Sequence, residues 1–281
     1  MTTEQVEPRI GLTFHRGFSL SLPSIAQILD LSVHLNGRLS AEIIRERTSL
    51  GTIYIEAMPR YARGCGLLET GSYRPTSLGN IAFENDPNLQ DERTLWLMHY
   101  NLCAPHGPGP AFWSHLVRYD LPYAEQLTMA SIVNRLSGLL QSEQGTRVLA
   151  KRTIVSTATV FVGSYTKPDA LGRLGFLSAT GQAEDKRVII SGPKSLPPGV
   201  IAYALADYWE ANHGDQVTVD LDVLFRDDGF ARVLWTAPSY LEKGLEELRR
   251  RGIVDIHRVA PPYQVTRRWA SKNELLGLLY S

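Results

Sequence analysis

Two stretches far apart in this chain follow one grammar: RGCGLLETGSYRPTS, starting at Arg63, and RRRGIVDIHRVAPPYQVT, starting at Arg249. Each contains basic residues, a helix-stopping glycine, an apolar run, a turn and a return strand holding a tyrosine. Repetition of this kind points to a tandem of small units rather than one enzyme barrel. Ahead of the first copy, Ser40 is placed to cap a short helix carrying Ile43 and Ile44. A turn at 49–51 leads into a longer helix bearing Ile53, Ile55, Ala57, Met58, Tyr61 and Ala62 at helical spacing, and a further helix starts at 78–83. Ahead of the second copy, Tyr240, Leu241, Leu245 and Leu248 form an apolar helical stripe, followed by strand patterns at 253–257 and 263–266 around Pro261-Pro262. Helix, tight turn, helix, hairpin is the winged helix-turn-helix order. A weaker echo, GRLGFLSATGQAEDKRVIIS from Gly172, reads as a middle wing or a connecting hairpin.

The expected fold is therefore mainly α with small β-hairpins (α+β), as tandem winged helix-turn-helix units around a helical middle region. At 281 residues the chain has room for more than one module. The expected divisions are an N-terminal winged-helix domain at 1–85, a helical middle domain with a hairpin at 86–195, and a C-terminal winged-helix-like domain at 196–281. In the middle, 91–102 reads as a strongly amphipathic helix with acids at its N-terminal end. A loop at 104–110, helices at 127–140 and 146–161, a linker at Ser195-Leu196-Pro197-Pro198 and a helix at 200–212 complete the reading.

The 29 Lys and Arg cancel the 29 Asp and Glu, which argues against an indiscriminate polycation. The cancellation is not local. Residues 243–272 hold eight bases against three acids, whereas 205–230 hold seven acids against one arginine. Candidate DNA-binding residues are Arg249, Arg250, Arg251, Arg267 and Arg268 in the second copy, and Tyr54, Arg60, Arg63 and Arg74 in the first. Tyr263 and Trp269 are placed to pack on sugar or base faces. The plainer alternative is a solvated charged face, or an acidic stretch paired with the basic one. Two cysteines, Cys65 and Cys103, are too few for a disulfide framework. With no signal-like N-terminus and no run of roughly 18 apolar residues, a cytoplasmic protein without a membrane partner is expected.

Chemistry-bearing patterns are sparser. Pro168-Asp169 followed by Glu184-Asp185-Lys186 has the lettering of a PD…(D/E)-x-K nuclease core, in which Asp169 and Glu184 would hold Mg2+ and Lys186 would orient the attacking water. That core needs Asp169 at a strand start beside a strand carrying Glu184; otherwise Asp169 caps the helix ahead of Gly175. Asp220, Asp222, Asp227 and Asp228 resemble a hard-cation cluster, though Asp222 also suits a helix cap and Asp227-Asp228-Gly229 a turn. His99, Cys103, His106 and His115 match no common zinc spacing, and a histidine on an apolar helix face is usually core. No Walker loop, G-x-S-x-G elbow or G-x-G-x-x-G motif is present.

A longer run is more specific. Pro75-Thr76, Leu78-Gly79, Asp86-Pro87, Leu89, Asp91 and Thr94-Leu95-Trp96-Leu97 with His99 resemble the hallmark of the SspB-like family of bacterial DNA phosphorothioation (Ssp) defence clusters. Phe14-His15-Arg16-Gly17-Phe18 resembles that family's N-terminal segment with altered spacing. The resemblance runs over most of the chain and weakens after about residue 195. It implies a DNA-binding component, a nicking endonuclease acting with sulfur-transfer partners on double-stranded DNA. The alternatives are a non-catalytic DNA-recognition subunit or transcriptional regulator, and winged helices that serve protein assembly. A homodimer is compatible with either.

Overall fold

The computed structural model describes residues 11–144, 151–181, 186–226 and 229–281, of which 140–144 by their backbone alone. The first unit packs α1 (Leu22–His34), α2 (Ala41–Arg47) and α3 (Thr52–Gly64), followed by a narrow hairpin and α4 (Ser77–Asn85). Ser40 caps α2 as expected, accepting from the Ile43 amide at 3.2 Å. The hairpin is held by one bridge, between Leu68 and Pro75. Gly66 turns the chain out of α3 with φ +76°, and a side chain there would collide with Asn101.

The middle of the chain forms α5 (Glu92–Cys103), α6 (Ala111–His115) running into a π-turn (Leu116–Asp120), β1 (Gln126–Thr128), α7 (Met129–Gln144), α8 (Lys151–Thr166), a 3-10 turn (Leu171–Leu174), β2 (Leu177–Thr180) and β3 (Arg187–Ile190). The last part contains α9 (Pro198–His213), β4 (Thr218–Asp220), a 3-10 turn (Leu221–Phe225), α10 (Phe230–Val233), α11 (Pro238–Arg250), β5 (Val254–His257), β6 (Gln264–Arg267) and a final 3-10 helix (Lys272–Leu278).

The result is a mixed fold dominated by helices with two three-stranded antiparallel sheets, β1-β3-β2 and β4-β6-β5. Both sheets obey one rule. The first strand is separated from a hairpin by two helices, and the hairpin's second strand lies in the centre. The echo at 172–191 is thus a strand pair joined by β1, which takes up the start of the helix expected at 127–140, so that α7 begins at Met129. Three-residue strands such as β1 and β4 are too short for period-two alternation to register.

One hydrophobic core runs continuously from Leu12 to Leu279. The expectation of an amphipathic helix at 91–102 is corrected: from Thr94 to Cys103 every residue of α5 is buried. Neighbours cover it on all sides, so its polar groups find internal partners. His99 lies between the Tyr165 hydroxyl at 2.7 Å and the Val233 carbonyl at 3.0 Å. Because the carbonyl only accepts, Nε2–H donates to it and Nδ1 accepts from Tyr165. Burial lowers the His99 pKa to about 4, keeping the ring neutral. His15 is likewise buried, with its pKa lowered to about 4 by desolvation; its Nδ1 accepts from the Gly17 amide at 2.8 Å and its Nε2 faces Thr157 at 3.1 Å.

Candidate nucleic-acid interface

The basic run at 249–251 sits where it does because α11 is two-faced. Pro238 opens the helix, and Leu241, Gly244, Leu245 and Leu248 line its buried side. Gly244 lets α9 approach so closely that a methyl there would lie 2.3 Å from Ile201. The opposite side carries the charges into water, and most are matched. Arg249 pairs with Glu246 at 2.6 Å, while Arg250 and Arg251 share Glu247 at 2.6 and 3.0 Å. Arg258 meets Glu242 at 2.9 Å, and the Arg268 Nε donates to Asp255 at 2.6 Å. The hydrogen bond from Arg249 holds the Glu246 carboxyl below the usual carboxylate range. Arg267, on β6, differs: its side chain makes no hydrogen bond or ion pair among the described residues.

The first unit divides similarly. Arg63 donates from Nε to the Ser72 carbonyl at 2.7 Å and lies over the Tyr73 ring at 4.6 Å, so it ties α3 to the hairpin. Tyr54 packs edge-on against Phe18. Arg60 reaches the Thr13 carbonyl at 3.4 Å, and burial followed by the nearby Arg16 charge lowers its pKa. Arg74 is exposed at the hairpin and unpaired among the described residues. Of the nine binding candidates, then, Arg74 and Arg267 have uncommitted side chains, and both stand on hairpins.

The nuclease-like triad has a different geometry from the one its pattern requires. Asp169 is exposed in the turn after α8, not at a strand start, and its carbonyl accepts from the Leu22 amide at 2.8 Å. Nor does it cap the following 3-10 turn, whose N-cap is Ala170. Lys186 stands just before β3 and shares a groove of about 470 Å³ with Lys151, Met129 and Val155. Glu184 lies outside the described residues, as do Asp227 and Asp228. Among the described residues no three His, Cys, Asp or Glu side chains converge as a metal site. The histidine–cysteine set disperses: His99 and Cys103 are core, His115 faces Asp120 at 3.6 Å, and His106 turns to Asp207.

That last contact belongs to a cluster the sequence did not suggest. A cleft of about 840 Å³ opens among the first hairpin, the loop after α5, α9 and the C-terminal 3-10 helix. At its floor the Asp207 carboxylate accepts from His106 at 2.8 Å, Lys272 at 2.5 Å and Tyr100 at 3.0 Å. Burial alone would raise this carboxyl's pKa, but the bonds from His106 and Lys272 outweigh it and hold the value at about 2. In sequence Asp207 is one acid among seven in its stretch, with partners scattered along the chain. With Glu69, Asp207 and Glu210 against Lys272, the cleft is a poor receptor for phosphate.

No helix among the described residues is long and apolar enough to cross a membrane. No curated protein matches the chain in sequence. Two solved structures share its fold: a magnesium-ion-bound crystal structure of SspB and a second crystal structure of SspB. Both give a TM-score of 0.75, at 16% and 15% identity respectively, covering 95% of this chain and 86% of each SspB chain. The model of a family described as a protein of unknown function, DUF4007, matches residues 50–277. With that span of sequence and the fold of SspB, the chain belongs to the DUF4007 family.

Proposed function

We propose that this chain is the DNA-binding component of a bacterial DNA phosphorothioation system, and that it engages duplex DNA through winged-helix units at 1–85 and 196–281 that flank a helical middle domain with a hairpin at 86–195. The observation that carries the reading is the strand order common to both sheets: strand, two helices, then a hairpin whose second strand lies centrally. The helix–helix–hairpin order of α2, α3 and residues 67–76 supports the same assignment for the first unit. In such a unit the second helix and the hairpin present side chains to a groove and its phosphates. The uncommitted Arg74 and Arg267 stand on those hairpins, which suits phosphate contact. The resemblance to the SspB-like family of phosphorothioation clusters supports placement beside sulfur-transfer proteins. The test is anisotropy of a labelled duplex over a salt series. Affinity should fall steeply with salt, and Arg267→Ala and Arg74→Ala should each reduce the log–log slope by about 1. Absence of DNA binding at low salt rejects the reading and leaves the hairpins to protein assembly.

A second reading is magnesium-dependent nicking, favoured by the magnesium ion in one SspB structure. It assigns Asp169, Glu184 and Lys186 to the site, although the exposed turn around Asp169 provides no converging ligands among the described residues. Supercoiled plasmid relaxed by wild-type chain and magnesium, but not by Asp169→Ala, is the expected result; equal relaxation by both removes this assignment.

A further inference from the structure

The turn before α1 holds Arg16 at φ +51°, the left-handed region that a residue with a Cβ adopts only at a cost. Its surroundings keep it there. Gly17 follows at φ +86° and donates its amide to the His15 Nδ1 at 2.8 Å, while the Phe18 amide donates to the His15 carbonyl at 2.9 Å. With Nδ1 accepting, the proton of the neutral His15 ring lies on Nε2, which donates to the Thr157 Oγ1 at 3.1 Å and fastens the turn to α8. Backbone strain maintained by buried contacts is typical of ligand clamps, and here it fixes the position of an exposed arginine.

Arg16 lines a pocket of about 340 Å³ between this turn and α8, which contributes Arg152, Thr153 and Ser156. The Arg152 guanidinium and the Ser156 hydroxyl make no hydrogen bond or ion pair among the described residues. Arg16 is matched by Glu56 at 3.0 Å in a half-exposed pair, which is easily given up. The same carboxylate also faces Arg60, whose pKa is lowered by burial and then by the charge of Arg16. Three arginines thus have one carboxylate among them, and the pocket lies on the cationic side of that balance.

We propose that this pocket binds the terminal phosphate of a nucleotide, free or at the end of a nucleic-acid strand, between the guanidiniums of Arg16 and Arg152 with the Ser156 hydroxyl as a further donor. A terminal phosphate carries about 1.5 to 2 negative charges at pH 7, and two guanidinium forks supply the charge-assisted bonds that such a group takes up. The volume falls in the range of about 300–1,000 Å³ usual for small-molecule sites, more than a lone phosphate fills. No atom lies within 4 Å of where a Gly17 side chain would start, which leaves room for an attached sugar. The site is separate from the hairpin arginines Arg74 and Arg267 and does not depend on the DNA-binding reading.

The test is calorimetry of the full chain with AMP and with adenosine, beside competition binding of one duplex bearing either phosphates or hydroxyls at its strand ends. The phosphate-bearing probe should bind roughly tenfold or more tightly than its counterpart. A preference in the AMP arm alone assigns the pocket to free nucleotides, and one in the duplex arm assigns it to strand ends. Arg152→Gln should abolish the preference. Arg16→Gly should abolish it too while leaving the unfolding midpoint unchanged or higher, because glycine relieves the left-handed backbone. Glu56→Gln should strengthen it by freeing Arg16. No preference in either arm, or a preference that survives in both arginine variants, overturns the proposal. The DNA-binding reading fails separately: binding of AMP but of no duplex at low salt rejects that reading and keeps the pocket, whereas equal binding of both duplexes without AMP binding does the reverse.

Discussion

Carboxylates meet cations in two settings in this protein, and the settings differ in what they hold together. Below the cleft, the Asp207 side chain is 13% exposed and joins α9 to the loop after α5 and to the C-terminal 3-10 helix. On α11, Glu246 and Glu247 meet arginines that are 40% to 64% exposed, three or four positions along the same helix. The chemistry is the same, but burial changes its consequence. A buried pair that loses one partner strands a desolvated charge, whereas water replaces the partner of an exposed arginine at little cost. The Asp207 cluster is therefore a structural clamp. On the proposed DNA-binding reading, the α11 pairs are a reservoir of arginines that a phosphate can take from glutamate.

The strongest way to break the comparison is Asp207→Ala. It should lower stability in urea unfolding by about 3 kcal/mol, because Lys272 and His106 lose the partner that offset their desolvation. A loss no larger than that of an α11 glutamate variant would show that the clamp holds nothing.

Acid should separate the regions next. The folded His99 pKa of about 4 lies below the ordinary 6.5, so the unfolded chain binds the extra proton first. Stability should fall as pH drops from about 6.5 toward 4, by about 3 kcal/mol from this residue, with His15 acting in the same direction. Asp207 titrates later. Its contribution is present above its ordinary value of 3.8 and is lost as pH falls toward about 2. Unfolding midpoints from pH 7 to 3 should show the histidine phase, and a flat profile down to pH 4 would contradict the buried neutral rings.

The smallest effect on stability, and the sharpest on binding, is expected for Glu247→Ala. It frees Arg250 and Arg251 together while leaving the unfolding transition in place. Its DNA affinity should rise and its salt slope steepen by up to about 2. Unchanged binding would mean that these arginines do not reach phosphate.

Local signals were legible wherever they were strong and repeated. The apolar stripe of α11, the Ser40 cap, the hairpin at 172–191 and the turn at Pro261-Pro262 could each be read from spacing alone. The strands β1 and β4 could not, being three residues long, nor could the full burial of α5, whose environment comes from elements distant in the chain. Of the candidate interface, the arginines were visible by composition. Which of them are already engaged was not, although Glu246 three residues before Arg249 is a spacing that favours a pair.

By itself the sequence determined α2, α3, α9 and α11, the hairpin around Pro261-Pro262 and the local charge imbalance, because each depends on residues within a few positions of one another. The tertiary structure decided that both sheets share one strand order, that Arg74 and Arg267 stay uncommitted, and that Asp207 gathers His106, Tyr100 and Lys272 at one point. Those outcomes depend on which distant surfaces pack together and exclude water. Burial and partnership are properties of that packing, so no local pattern encodes them.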